Sequence, residues 1–161
     1  MNPLKIGEND PMAEKLSGYF AGIPNEVIDS PAFADLTGEA IRVLLILARQ
    51  CNGNNNGHLQ ATYSYCRVRG IGSPHTLQAA IASLIEHGFI YRTRGHGMKE
   101  GKNICATYAL TFRQICDKKN RKNLFMDGFV SNAWHEWKPK EKIPAPRKCI
   151  DEMQFMQIHT P

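Results

Sequence analysis

The chain has 161 residues, enough for one domain with an appended tail, and its apolar fraction of 42% supports a single core. The formal net charge of +5 favours an anionic partner, usually nucleic acid. No apolar run approaches the roughly 20 residues of a membrane span, and the N-terminus has no signal-peptide h-region, so a cytoplasmic protein without a membrane partner is expected.

Residues 1–18 hold two prolines, two glycines and mixed charges, and read as a loose leader. After the apolar run from Tyr19 to Ile23, Pro24 starts a short helix through Val27 and Ile28. Ser30-Pro31 pairs a capping hydroxyl with a proline at the first helical position and opens another short turn. Thr37 caps the first long helix, whose apolar positions, Ala40 to Ala48, run nearly all round; it is expected to be buried centrally. Asn52 to Gly57 must be a loop, read as a connector ahead of a ligand-binding loop. His58 to Ala61 is a candidate short strand.

The stretch Leu59 to Arg94 organises the chain. Tyr63 to Val68 reads as a short helix, Arg69-Gly70-Ile71-Gly72 as a tight turn, and Ser73-Pro74 as the start of a second helix closed by His87-Gly88. Leu77, Ala80, Ile81, Leu84 and Ile85 form its apolar stripe. Its other side is small or polar, with Glu86 the one acid. Phe89 to Thr93 and Asn103 to Phe112 read as strands, joined by a mobile, glycine-rich, basic tip from Arg94 to Lys102. The second strand alternates Ile104, Ala106, Tyr108, Leu110 and Phe112 against Cys105, Thr107, Ala109 and Thr111. The fold class expected is α+β: a winged helix-turn-helix, a three-helix core plus a β-hairpin wing, over residues 19–112. Leu44, Leu47, Leu77, Ile81, Leu84, Phe89, Tyr108 and Leu110 are its expected core.

Residues 113–161 form a basic, Trp-containing C-terminal extension. Trp134 and Trp137 are read as packing on the core, ahead of a strand-tracking arm or a dimer clasp. Lys138 to Lys148 is proline-spaced and cationic, expected to be extended.

The Ile23-Pro24-Asn25-Glu26 opening, the Leu36-Thr37-Gly38-Glu39 helix start and the Leu84 to Ile90 entry to the hairpin resemble the N-terminal winged-helix domain of phage replication protein O and related winged-helix proteins of phages and mobile elements. The resemblance implies binding to double-stranded DNA, at origin repeats in the replication case.

Enzyme chemistry is not expected. The five cysteines lack metal spacing and fit a reducing compartment as plain thiols. His135 has no second histidine at ligand spacing, the serines have no nucleophile-elbow context, and the glycine pairs are not phosphate loops. No metal or cofactor is expected. For DNA the candidates fall in three groups. Gln78 can pair bidentately with adenine, Ser73, His75 and Thr76 can reach bases or phosphates, and Ala79 can touch a thymine methyl. Arg67 and Arg69 can clamp phosphates beside the turn. Arg92, Arg94, His96, Lys99 and Lys102 can lay the wing against the backbone or into the minor groove.

The expected function is a sequence-specific double-stranded DNA-binding protein of a phage or mobile element, a transcriptional regulator or small replication protein. The alternative is a winged-helix protein-interaction module, such as a phage-encoded inhibitor of a host defence complex, using the tail or the Asn loop. A homodimer, and a protein partner through the C-terminal extension, stay open.

Overall fold

The computed structural model describes residues 19–140. The leader at 1–18 and most of the proline-spaced segment 138–148 lie outside the described residues. Side-chain hydroxyls start three of the helices. Ser30 Oγ accepts from the Phe33 N–H, Thr37 Oγ1 from Ala40 and Ser73 Oγ from Thr76, which satisfies donors that a helix start leaves free. The helices are α1 (Asn25–Ile28), α2 (Pro31–Ala34), α3 (Gly38–Gln50), α4 (Tyr63–Arg67) and α5 (Pro74–Glu86).

α3 and α5 pack against each other, and α4 rests on α5. α3 buries Ala40, Val43, Leu44, Ile46, Leu47 and Ala48. It is not buried all round, as its composition suggests. Arg42, Leu45 and Arg49, spaced i, i+3 and i+7, make a solvent stripe on which Leu45 is 46% exposed. α5 buries Leu77, Ala80, Ile81 and Leu84. Ile85, expected in that stripe, lies at its exposed edge, because each residue turns about 100° and the eighth step overshoots the face. The whole expected core, from Leu44 to Leu110, belongs to one cluster.

Four strands follow: β1 (Ile90–Arg94), β2 (Gly97–Lys99), β3 (Lys102–Ile104) and β4 (Thr107–Leu110). β1 pairs antiparallel with β4, and β2 with β3. On the other edge of β4, Leu59 pairs with Tyr108. The strand expected at His58 to Ala61 is reduced to that single pair. The architecture is α+β.

Two strand expectations are corrected. The tip 94–102 is not one loop: Gly97–Lys99 and Lys102–Ile104 form a ribbon closed at Glu100 and Gly101, both at positive φ (52° and 74°), as a two-residue hairpin turn requires. Nor is 103–112 continuous. The β1–β4 register slips between Arg92 and Arg94, and a slip of that kind locally breaks the ladder and increases twist, separating β3 from β4.

β4 is buried on both faces, so alternation did not translate into one wet face. Tyr108 and Leu110 belong to the core. The extension covers the other side. The Phe125 N–H donates to the Thr93 carbonyl (2.7 Å) and the Asn132 N–H to that of Thr111 (2.9 Å), and the Phe129 ring meets Tyr91 edge-on at 5.7 Å. Trp134 is 5% exposed and stacks on Phe89 at 6.3 Å, and Trp137 stacks on His87 at 4.7 Å. Core packing therefore continues past residue 112. Among the described residues no helix is long and apolar enough to cross a membrane.

Leu84, fully buried where α5 meets α3, is the test of this packing. Leu84→Ala should lower stability by about 2–5 kcal/mol in chemical denaturation, through reduced transfer energy and a residual cavity. A pH titration tests a second consequence. Burial pushes the Cys66 and Cys116 thiols and the Tyr108 phenol upward, each against a smaller lowering by a nearby arginine. A folded pKa raised above its unfolded value contributes stability below the unfolded pKa and loses it as pH rises. Stability should thus hold through neutrality and fall once pH passes about 8.5, the ordinary thiol value. A Cys66→Ala, Cys116→Ala double variant should start that fall later.

Candidate nucleic-acid interface

The turn between α4 and α5 is built on the Cys66 carbonyl, which accepts from Arg69 N–H (3.0 Å) and Ile71 N–H (3.2 Å). Ile71, 1% exposed, plugs it into the core. Gly70 sits at φ 93°, and the Arg42 guanidinium donates to its carbonyl at 2.7 Å. A Cβ at Gly70 would meet that guanidinium at 2.5 Å, so glycine serves here both the turn and the clamp. Arg42 was not read from the sequence; it is 28 residues from Gly70, beyond the reach of any local spacing.

α5 presents His75, Gln78, Ala79 and Ala82 to solvent. Ser73 and Thr76, expected to reach DNA, are half-buried and hydrogen-bonded to each other at 2.9 Å, with Ser73 also capping the helix. Their hydroxyls hold the helix start. No acid occupies the first turn of α5, leaving the positive end of its dipole uncompensated. Glu86, the acid at the other end, takes a hydrogen bond from Lys140, which holds its carboxyl below the usual range and the lysine above its own.

The arginines divide into two kinds. Arg69 donates to the Tyr65 carbonyl at 2.7 Å and lies 3.6 Å over its ring. Arg94 donates to the Cys105 carbonyl at 3.3 Å. Arg42, Arg113 and Arg121 are also tied to carbonyls, and Arg49 to the Tyr65 hydroxyl. The Arg69 guanidinium thus braces the turn, and that of Arg94 ties β1 to the segment leading into β4. Arg67 and Arg92 are both exposed, and Arg92 stands over the Tyr108 ring, 5.9 Å from its centroid.

Gln78, Arg92 and His96 come together, lining a cleft of about 470 Å³ between α5 and the β1–β4 sheet. Tyr63 lines it too, its hydroxyl donating to the Gly72 carbonyl at 3.1 Å. An aromatic at the start of α4 was the available signal for it. No carboxylate lines the cleft. Lys99 and Lys102 are exposed and directly paired across the ribbon tip, with no ion pair to an acid among the described residues. Among the described residues no group of His, Cys, Asp or Glu could hold a metal ion. The cysteines at 51, 66, 105 and 116 are free thiols.

Comparison of the chain with protein-family models, curated proteins and solved structures finds no match.

The two kinds of arginine should separate in thermal denaturation. Arg42→Ala should cost about 1 kcal/mol of stability by removing the hydrogen bond to Gly70. Arg67→Ala and Arg92→Ala, at exposed positions, should stay within about 0.5 kcal/mol of the parent.

Proposed function

We propose that this chain is a sequence-specific double-stranded DNA-binding protein of winged helix-turn-helix design, serving a phage or mobile element as a transcriptional regulator or small replication protein. In this reading α5 enters the major groove, Gln78 and Ala79 meet base edges, and His75 and Arg67 meet the flanking backbone. The β2–β3 ribbon is the wing and lies on neighbouring phosphates.

The observation that carries the reading is where the exposed polar groups lie. The other described arginines donate to internal carbonyls or a hydroxyl, while Arg67 on α4, Gln78 on α5, Arg92 on β1 and His96 just beyond it are exposed. The Lys99–Lys102 pair adds to it. Like charges directly opposite on a ribbon destabilise it, and a phosphate between them would remove that repulsion. The alternative, a protein-interaction module such as an inhibitor of a host defence complex, draws on the tail tryptophans and the Asn loop. Trp134 is turned into the core, Trp137 stacks on His87, and Asn56 is fully buried and bonded to the Leu110 backbone. Trp134 and Asn56 are thus withdrawn from a partner surface, which favours DNA, while Asn52 and Asn54 of the loop stay exposed.

Selection of bound fragments from random genomic DNA, followed by titration on the preferred duplex, tests the proposal. Gln78→Ala should relax preference at one base pair by about 1–3 kcal/mol. Replacing Lys99 and Lys102 with alanine should weaken all duplexes alike and flatten the log–log salt dependence by about 0.9 for each phosphate that is no longer neutralised. Changed sequence preference in the lysine variant, with none in Gln78→Ala, would reverse the docking proposed.

A further inference from the structure

The cleft between α5 and the β1–β4 sheet has a chemistry that docking on the outside of a duplex leaves unused. Its floor is apolar, formed by the core residues Leu77, Ile81 and Tyr108 with Ala106 beside them. Its rim holds Gln78, Arg92 and His96, all exposed. A concave apolar site with a few convergent polar groups is the usual form of a small-ligand site, and about 470 Å³ lies within the usual range of about 300–1,000 Å³. The basic rim, with no carboxylate among the lining residues, selects an anion. The apolar floor and the Tyr63 ring select a flat body attached to it. The Gln78 amide offers a donor and an acceptor side by side, the pair that matches an adenine edge.

We infer that this cleft binds a purine mononucleotide unit, its base between Tyr63 and the floor, its edge on Gln78 and its phosphate on Arg92 and His96. The unit comes either from a free nucleotide or from a base extruded from bound DNA, which takes a few kcal/mol of unstacking. The inference goes beyond the duplex reading and does not require it. The two share Gln78 and Arg92, so a free nucleotide in the cleft competes with a duplex.

Calorimetric titration of the full chain with AMP, adenosine and ribose 5-phosphate tests it. AMP should bind saturably and each half-molecule more weakly. Gln78→Ala and Arg92→Ala should each weaken AMP about tenfold or more, the effect expected of removing a hydrogen bond or a charged group. Lys118→Ala, an exposed cation that does not line the cleft, should leave AMP binding unchanged. Cys105, exposed on the cleft wall, should be protected by AMP from iodoacetamide, while Cys51 is not. No saturable AMP binding, binding indifferent to both cleft variants, or an unprotected Cys105 overturns the inference. Duplexes carrying 2-aminopurine separate the two sources. A fluorescence rise that AMP abolishes assigns the unit to bound DNA, and a flat signal with AMP binding intact assigns it to a free nucleotide. Duplex binding without AMP binding overturns the cleft and keeps the duplex reading; AMP binding without duplex binding does the reverse.

Discussion

The missing side chain of Gly88 is the constraint on which the rest of the structure depends. It ends α5 at φ 78°, where the chain turns into β1. It also admits the extension, because a Cβ there would lie 2.6 Å from the backbone of Ala133 and Trp134. Through that gap Trp134 reaches Phe89. Its indole nitrogen is buried without a hydrogen-bond partner, a penalty of about 1–3 kcal/mol. Burying an aromatic of about 150–250 Å² at roughly 25 cal/mol per Å² contributes about 4–6 kcal/mol, so the apolar term wins. Next to the glycine, buried His87 stands between the Ser83 carbonyl (2.7 Å) and the Asp35 carboxylate (2.8 Å), joining the end of α5 to the residue that closes α2.

With α5 held at that end, its start and outer face are left open. Ser73 and Thr76 fix the start, Arg42 fixes the turn before it, and Arg94 ties β1 to the segment leading into β4. These groups make a rigid frame from polar side chains that sequence alone makes equivalent to the free ones. The frame leaves Gln78, Arg92 and His96 around one cleft. Such a frame needs little backbone ordering to bind anything, so the ordering cost falls on the exposed Gln78, Arg92 and His96 side chains.

The Asn loop shows how a polar segment can be structural. Asn56 is fully buried, donates to the Leu110, Arg113 and Gln114 carbonyls, and accepts from the Leu110 N–H. It pins the end of β4 where the extension departs. The Leu110, Arg113 and Gln114 partners of Asn56 lie more than 50 residues away, and no local pattern reveals them.

What the sequence determined by itself was whatever depends on neighbours along the chain. Hydroxyl caps at Ser30, Thr37 and Ser73, prolines at helix starts, the 3.6-residue stripe of α5 and the glycine after His87 set these helices and the core residues that α5 contributes. Only the tertiary structure decided the rest. It exposed Leu45 and Ile85, split the second strand, covered both faces of β4 and chose which arginines are free. The physical reason is reach. A cap or a stripe is settled within one or two helical turns, whereas Arg42 on Gly70, Trp134 on Phe89 and Asn56 on Leu110 join segments that only folding brings together.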